Sequence, residues 1–472
     1  MTKDANTVPR RLASPGADPP RDDTYTTWVL VTCLAGVFAT TFTITILAVS
    51  LKSIAEDLGS RVEVVAWVIT APMLVQALAL PVLGKMGDLY GHRRVYLIGF
   101  FFATAATLLT TTAWDAGSLI AFRVLAQLTG TATMPASTAL LFGVYPPERR
   151  AQAMGWVSLV SAGAPVLGLA VGGVLVDAMG WRPLFLIQGC LSLIAWAVAL
   201  RVLRESPRQR GVSFDLPGAF TLAVAAFAFT FGINRIPRAG LADPGVLSCL
   251  ALVPIALALF VRVEKRSEHP LLPLSFFARR NFTAPLIAGF CLQFAYMGGF
   301  IITPLLLMNV FGYSATATSF ITMLRPVAFT LSAPIGGTLA GRLGERAMAV
   351  TGALAIALAM GALAAGAAGG SLVLLGTGLV LAGIGLGLSQ PSLAASVGNA
   401  VDERSFGIAS SGLAMTTSIG AVSGISVLTA LSAGARVADP FVDGYLLGAG
   451  LAALGVAAAI SIESYRWSHV RR

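Results

Sequence analysis

Gly84-Lys85-Met86-Gly87-Asp88-Leu89-Tyr90-Gly91-His92-Arg93-Arg94 is a charged, glycine-punctuated turn between two long apolar runs, and its reading decides the fold. Glycine tolerates positive φ and close backbone approach, which a short connection between helices needs. Asp88, Arg93 and Arg94 add a compact set of opposite charges that can engage helix termini in one conformation and release them in another. A plainer reading also fits, a solvated hairpin turn on the positively charged side of a membrane. A degenerate second copy, Gly337-Thr338-Leu339-Ala340-Gly341-Arg342-Leu343-Gly344, keeps the first and last glycines at the same spacing and carries Gly341 in place of Asp88.

Outward from this loop the chain is overwhelmingly apolar. Its 472 residues are 56% hydrophobic and only 11% charged, with a mean hydropathy of +0.80, which excludes an ordinary soluble globule. Apolar runs of about 20 residues, enough to cross ~30 Å of hydrocarbon, recur along nearly the whole length. Fourteen spans are expected, over 27–52, 64–84, 94–113, 117–143, 151–177, 182–203, 216–234, 244–263, 282–310, 315–341, 347–368, 371–399, 405–431 and 441–462. With both termini in the cytoplasm and residues at span ends counted with the adjoining segments, 24 of the 32 Lys and Arg are cytoplasmic and two, Arg123 and Arg325, fall deep inside spans. The formal charge of +10 then reports membrane orientation and needs no nucleic-acid partner.

The organisation expected is a disordered cytoplasmic tail over 1–25, a six-helix bundle over 26–204, two additional helices with cytoplasmic linkers over 205–280, a second six-helix bundle over 281–465 and a tail over 466–472. Within the third part, residues 271–280 are expected as a short amphipathic segment on the membrane surface. Cys33, Cys190, Cys249 and Cys291 sit in spans at irregular spacing and are read as small core residues, forming neither a disulfide framework nor a metal site.

The loop at 84–94 resembles the signature loop of the major facilitator superfamily, and the six-two-six arrangement resembles its fourteen-span drug/proton antiporter branch across essentially the whole chain. That resemblance implies an all-α polytopic membrane protein of the major facilitator fold, with both termini cytoplasmic, in the cell (inner) membrane. It also implies a conformational latch at Gly84, Asp88, Gly91, Arg93 and Arg94, and two pseudo-repeats facing one cavity. Gly163, Pro165, Gly168 and Gly172 resemble the antiporter motif of the fifth helix, although Leu169 stands where most exporters place a proline. Gly168 and Gly172 equally make a small-residue packing face, and Pro165 a kink. Trp181, Arg182 and Phe185, at the start of the next helix, fit the same branch as interfacial anchors.

The substrate cavity is expected to use Thr43, Arg123, Gln127, Gln293, Tyr296 and Arg325. Arg123 matches the buried arginine of the family's fourth helix, and a guanidinium at mid-bilayer costs roughly 2.5–3.5 kcal/mol on insertion scales, so it should face the bundle interior. Bracing helix carbonyls would also explain it. Gln127 stands one residue later than the family's glutamine, about 100° further around the helix. Gln293 and Tyr296 lie three apart on one helix, and Gln390 is a further polar residue beside a proline. Where the resembled exporters carry an aspartate in the first helix, this chain has Thr43, whose hydroxyl can bond back to its own helix. Asp177, at the outer end of the fifth helix, is then the best remaining proton carrier.

None of the 22 acidic residues falls near the centre of a span, so Arg123 and Arg325 are expected without carboxylate partners at depth. A positive cavity favours neutral or anionic amphiphiles over lipophilic cations. Phosphate-binding loops, metal-ligand spacings and nucleophile elbows are absent from the sequence, so no enzymatic chemistry, cofactor or metal is expected. The function expected is export of small amphipathic molecules by a monomeric secondary active transporter working by alternating access, with proton coupling implied by the resemblance. Two alternatives stay open: an exporter or flippase of anionic or lipid-like metabolites, uncoupled from protons, and a transport-inactive ligand sensor.

Overall fold

The computed structural model describes residues 23–65, 67–206, 214–240, 242–432 and 434–463, so most of both expected tails lies outside the described residues. In hydrocarbon every backbone donor and acceptor must be satisfied within its own segment, and long apolar runs therefore coil into helices. The helices are α1 (Asp23–Asp57), α2 (Val62–Val65), α3 (Trp67–Tyr90), α4 (His92–Thr110), α5 (Ala116–Gly130), α6 (Thr133–Val144), α7 (Pro147–Met179), α8 (Trp181–Val202), α9 (Leu216–Ala239), α10 (Pro244–Glu264), α11 (Arg280–Asn309), α12 (Ala315–Leu343), α13 (Glu345–Gly369), α14 (Leu372–Asn399), α15 (Phe406–Ser432) and α16 (Asp439–Ile460). A helix occupies each range expected from the sequence, with 117–143 divided into α5 and α6 at Thr131 and Ala132. Among the described residues, 9 helices are long and apolar enough to cross a membrane, or up to 10 if the bent pair Trp67–Met73 and Leu78–Tyr90 is one span. The chain is a multi-span, all-helical membrane protein.

Several acidic and hydroxyl residues fix where helices begin. Asp115, Asp215, Asp243, Ser314 and Ser371 each accept a backbone N–H three residues on, satisfying a donor that the first turn leaves orphaned. Gly91 and Gly344, the last glycines of the two loop copies, precede α4 and α13 with φ of 99° and 94°. No other residue type adopts that backbone cheaply, which accounts for the closing glycine that both copies keep.

The C-terminal bundle closes around Leu292, Ile302, Ile356, Met360, Phe441 and Tyr445. A second core, around Tyr96, Phe100 and Phe142, continues into Phe282, Phe406 and Ile408 and so joins the two halves. The contacts between halves concentrate at the end that carries the 84–94 loop. There α7 meets α12 with glycines at the crossing: Gly155 faces Ala333 and Pro334, and Gly337 faces Ala151 and Gln152. Glycine removes the side chain that would hold the two backbones apart. A Cβ on Gly337 would stand 3.1 Å from Gln152 Cα and nearer still to the Ala151 carbonyl oxygen, both backbone atoms that cannot step aside. Gly337→Ala should therefore cost about 1–3 kcal/mol of overpacking and lower the melting temperature of the purified protein. An unchanged melting curve would show that the halves do not meet here.

The helices α9 and α10 pack on each other, and α9 lies against both α3 and α15, so the pair bridges the seam between the halves. The connection that follows is folded into the protein. Leu271, Leu272 and Phe276 are buried in the shared core and Leu274–Ala278 forms a 3-10 turn, correcting the expectation of a segment resting on the membrane surface. The segment is held against the protein by Lys85 Nζ donating to the Pro270 carbonyl, by Glu264 accepting the Leu271 and Leu272 N–H groups, and by the 3-10 turn packing on α11. The four cysteines are free thiols, but only Cys33 and Cys291 are buried, and Cys190 is exposed.

Candidate functional site

The fourth-helix arginine looks into the bundle. Arg123 is 4% exposed, its guanidinium lies 5.6 Å over the Phe185 ring, and its Nε has no hydrogen-bond partner. It lines a cavity of ≈ 250 Å³ with Thr40, Thr41, Gln76, Thr107, Gln127 and Ser192. Thr40 and Thr41 return their hydroxyls to the carbonyls of Gly36 and Val37, so they present oxygen lone pairs to the cavity without an unmet donor. Gln127 reaches the same space because i and i+4 share a helix face, despite its offset from the family position.

A second cavity, of ≈ 290 Å³, sits between the halves and is lined by Gln76, Met134, Thr138, Gln293, Gln390 and Thr417, among others. Gln76 and Met134 border both cavities, so the two lie side by side between the seam and Arg123. No Asp or Glu among the described residues lines either cavity. Among the described residues the polar part of the lining is amide and hydroxyl, with one cation, Arg123.

Arg325 and Tyr296 are placed elsewhere. Arg325 is 0% exposed inside the C-terminal bundle, where Nη1 donates to the Tyr296 carbonyl at 2.7 Å and the guanidinium lies 4.9 Å over the Tyr296 ring. Neither residue borders the two cavities. Three residues separate Tyr296 from Gln293, which is about 300° of helix rotation and so about 60° off the cavity face. That offset turns the tyrosine into the bundle and takes Arg325 with it, so the cavity carries one guanidinium where two were expected. Trp181 and Phe185 likewise depart from the expected role of interfacial anchors, since they are 2% and 0% exposed within the N-terminal bundle. Arg182 instead ties α8 to α1 and α4 through Asp57 and the carbonyls of Thr111 and Ala113.

In the helix-five motif, Gly163 faces Thr330 across the seam and Gly168 is buried, while Pro165 lies within α7. The side chains of Thr43 and Asp177, and position Gly172, lie outside the described residues.

The signature loop meets α15 close to the second cavity, whose lining includes Ser410. Asp88 is 0% exposed and accepts the backbone N–H of Gly407 at 2.8 Å and of Ile408 at 2.9 Å, the first turn of α15 in the other half. A carboxylate here satisfies orphaned donors and meets the positive end of the helix. His92 Nε2 lies 3.2 Å from Asp88. Gly84 is pressed against Ser411 and the Gly407 carbonyl, leaving no room for a side chain. Arg93 donates to the carbonyls of Leu203 at 2.6 Å and Leu200 at 2.8 Å, capping the end of α8, while Arg94 pairs with Glu205 at 3.6 Å. The five expected loop residues thus come together, but only Gly84 and Asp88 reach the other half.

One tie between the halves was not foreseen. Arg150 on α7 donates to the Asn399 side chain at 2.7 Å and to the Phe142 carbonyl at 3.1 Å, with its guanidinium 4.7 Å over the Phe406 ring. Asn399 in turn donates to Glu345 at 2.7 Å, linking α7, α14 and α13. In sequence Arg150 is one more basic residue in a short loop, and its partner is 249 residues away.

This combination of a seam-spanning cavity, a carboxylate-capped opposing helix and a repeated glycine turn matches a known family. The family profile described as Major Facilitator Superfamily matches residues 33–425, and also 286–467. The chain belongs to that superfamily. Among its relatives is the tetracenomycin C resistance and export protein of Streptomyces glaucescens, 29% identical over 420 residues, covering 88% of this chain and 77% of that protein. A multidrug transporter protein of Bacillus subtilis is 26% identical over 388 residues, covering 82% of this chain and 72% of that one. The crystal structure of a human organic anion transporter shares the fold, with a TM-score of 0.64 over 94% of this chain and 100% of that one at 17% identity. These resemblances place the chain in the drug-efflux branch of the superfamily as a multi-pass protein of the inner membrane.

Proposed function

We propose that the protein is a fourteen-pass transporter that exports amphipathic small molecules across the cytoplasmic membrane by alternating access, driven by the proton gradient. The observation that carries this reading is the pair of adjacent cavities between the seam and Arg123, next to the contacts by which Asp88, Gly84 and the α7–α12 crossing hold the halves together. A space bounded on one side by a releasable tie is what alternating access requires. In this reading the tied end is cytoplasmic, Gly84, Asp88, Gly91, Arg93 and Arg94 form the latch, and Asp177 carries the proton. The export activity named for the relatives supports the direction of transport.

Among the described residues, the cavity walls carry one guanidinium and no carboxylate, which favours neutral or anionic amphiphiles as cargo. Reconstitution into proteoliposomes tests the proposal. A fluorescent anionic amphiphile should be moved against its gradient when an inward proton gradient is imposed, with a matching pH change in the lumen. Movement that persists after collapse of both the pH gradient and the membrane potential would mean uncoupled diffusion, and binding without movement would mean a sensor.

A further inference from the structure

Beside the signature loop, three charged side chains from different parts of the chain are buried together. Lys85 on α3 is 4% exposed, Asp215 at the start of α9 is 7% exposed and Glu264 at the end of α10 is 4% exposed. Asp215, Glu264 and Asp88 are the carboxylates in electrostatic contact with Lys85. Each member of the pair from α9 and α10 has one oxygen engaged. Asp215 Oδ1 accepts Gly218 N–H at 2.9 Å, and Glu264 Oε1 accepts Leu271 and Leu272 N–H at 3.1 and 3.3 Å. Their other oxygens, Asp215 Oδ2 and Glu264 Oε2, are buried and make no hydrogen bond. The two carboxylates are close neighbours, because a Cβ on Gly218 would stand 2.7 Å from Asp215 Oδ2 and 2.9 Å from Glu264 Oε1.

Charge decides what this arrangement can hold. Lys85 interacts most strongly with Asp88 and then with Glu264 and Asp215, and Asp88 also has the first-turn donors of α15 and His92 beside it. One ammonium is therefore shared among three carboxylates and cannot balance both Asp215 and Glu264. A buried negative charge without a partner is costly, and two like charges this close are resolved most simply by binding a proton. We propose that Glu264 holds one exchangeable proton beside Asp215 and Lys85, forming a proton-binding site that joins the signature loop to the α9–α10 pair. The elements packed around the site also carry Asp88 on α3, His92 on α4, Arg262, Lys265 and His269 at and after the end of α10, and Arg404 ahead of α15. Because α9 touches both α3 and α15, loss of the proton leaves a net negative charge next to the Asp88 tie.

Proton occupancy here does not depend on which cargo the cavity takes, nor on Asp177. Infrared spectroscopy of the full-length protein in lipid vesicles reads it directly. At neutral pH the protein should show a protonated-carboxyl carbonyl stretch that shifts in heavy water. Glu264→Gln and Asp215→Asn should each abolish it, because the remaining carboxylate then balances Lys85 and ionises. Both variants keep the oxygen that accepts backbone N–H groups, so either one serves if the other fails to fold. Lys85→Met should instead retain the band into more alkaline buffer. No band in the parent protein, or a band that survives in both single carboxylate variants, would overturn the proposal.

Discussion

Asp88→Asn is expected to reduce transport by tenfold or more while leaving substrate binding close to that of the parent protein. The variant keeps the size of the side chain but removes the charge that accepts two N–H groups at the start of α15. Hydrogen bonds to a charged group contribute about 1.5–3 kcal/mol each, and about 1.4 kcal/mol is a factor of ten in an equilibrium. Losing much of one such bond across the seam therefore shifts the balance between tied and released states by at least an order of magnitude. A cycle that passes through the tied state once per turnover slows accordingly. Initial efflux rates in everted vesicles, paired with hydrogen exchange over residues 84–94 and 406–412, provide the check. Exchange in both segments should rise together. Parent-like rates and protection would mean that Asp88 caps α15 without gating anything.

The second large effect belongs to Arg123. Arg123→Met retains much of the side-chain volume, so the cavity stays filled, but it removes the single cation from the polar wall. For an anionic amphiphile that pairs with the guanidinium, the loss is about 1.5–3 kcal/mol, or roughly 10- to 100-fold in apparent affinity. A lipophilic cation of the same size should be moved as well or better, because a repulsive charge has gone. Competition for transport between one anion and one cation in proteoliposomes separates these outcomes. Equal losses for both would assign Arg123 to bracing the bundle through Phe185, and the charge argument for cargo selection would fall. Arg325→Met makes an informative control. Enclosed against Tyr296 and clear of both cavities, it should alter stability without altering the anion-to-cation ratio.

Much of the architecture was legible without coordinates, and the reasons are local. A run of twenty apolar residues has one way to satisfy its backbone in hydrocarbon, so helix positions from 27 to 462 could be read from composition. The loop at 84–94 announced itself by glycines that the backbone needs, as Gly91 and Gly344 show with their shared positive φ. Arg123 could be assigned to the bundle interior because a guanidinium facing lipid is too expensive. These inferences concern one residue and its own helix, and a sequence contains that information.

What the sequence by itself determined, then, was a helical membrane protein with a glycine-marked turn and an arginine facing inward. Which side chains meet was decided only by the tertiary structure. Arg123 and Arg325 look alike in sequence, yet Arg123 opens onto a cavity while Arg325 is enclosed in a packed core against Tyr296, which stands about 60° around α11 from the cavity-lining Gln293. Asp88 finds its partner in α15 and Arg150 finds Asn399 only once two bundles are docked, and Lys85 meets Asp215 and Glu264 only because α9 and α10 settle across the seam. The physical reason is that helix phase and bundle docking are fixed by the summed packing of many weak apolar contacts, whereas the polar encounters that carry function are few and span hundreds of residues.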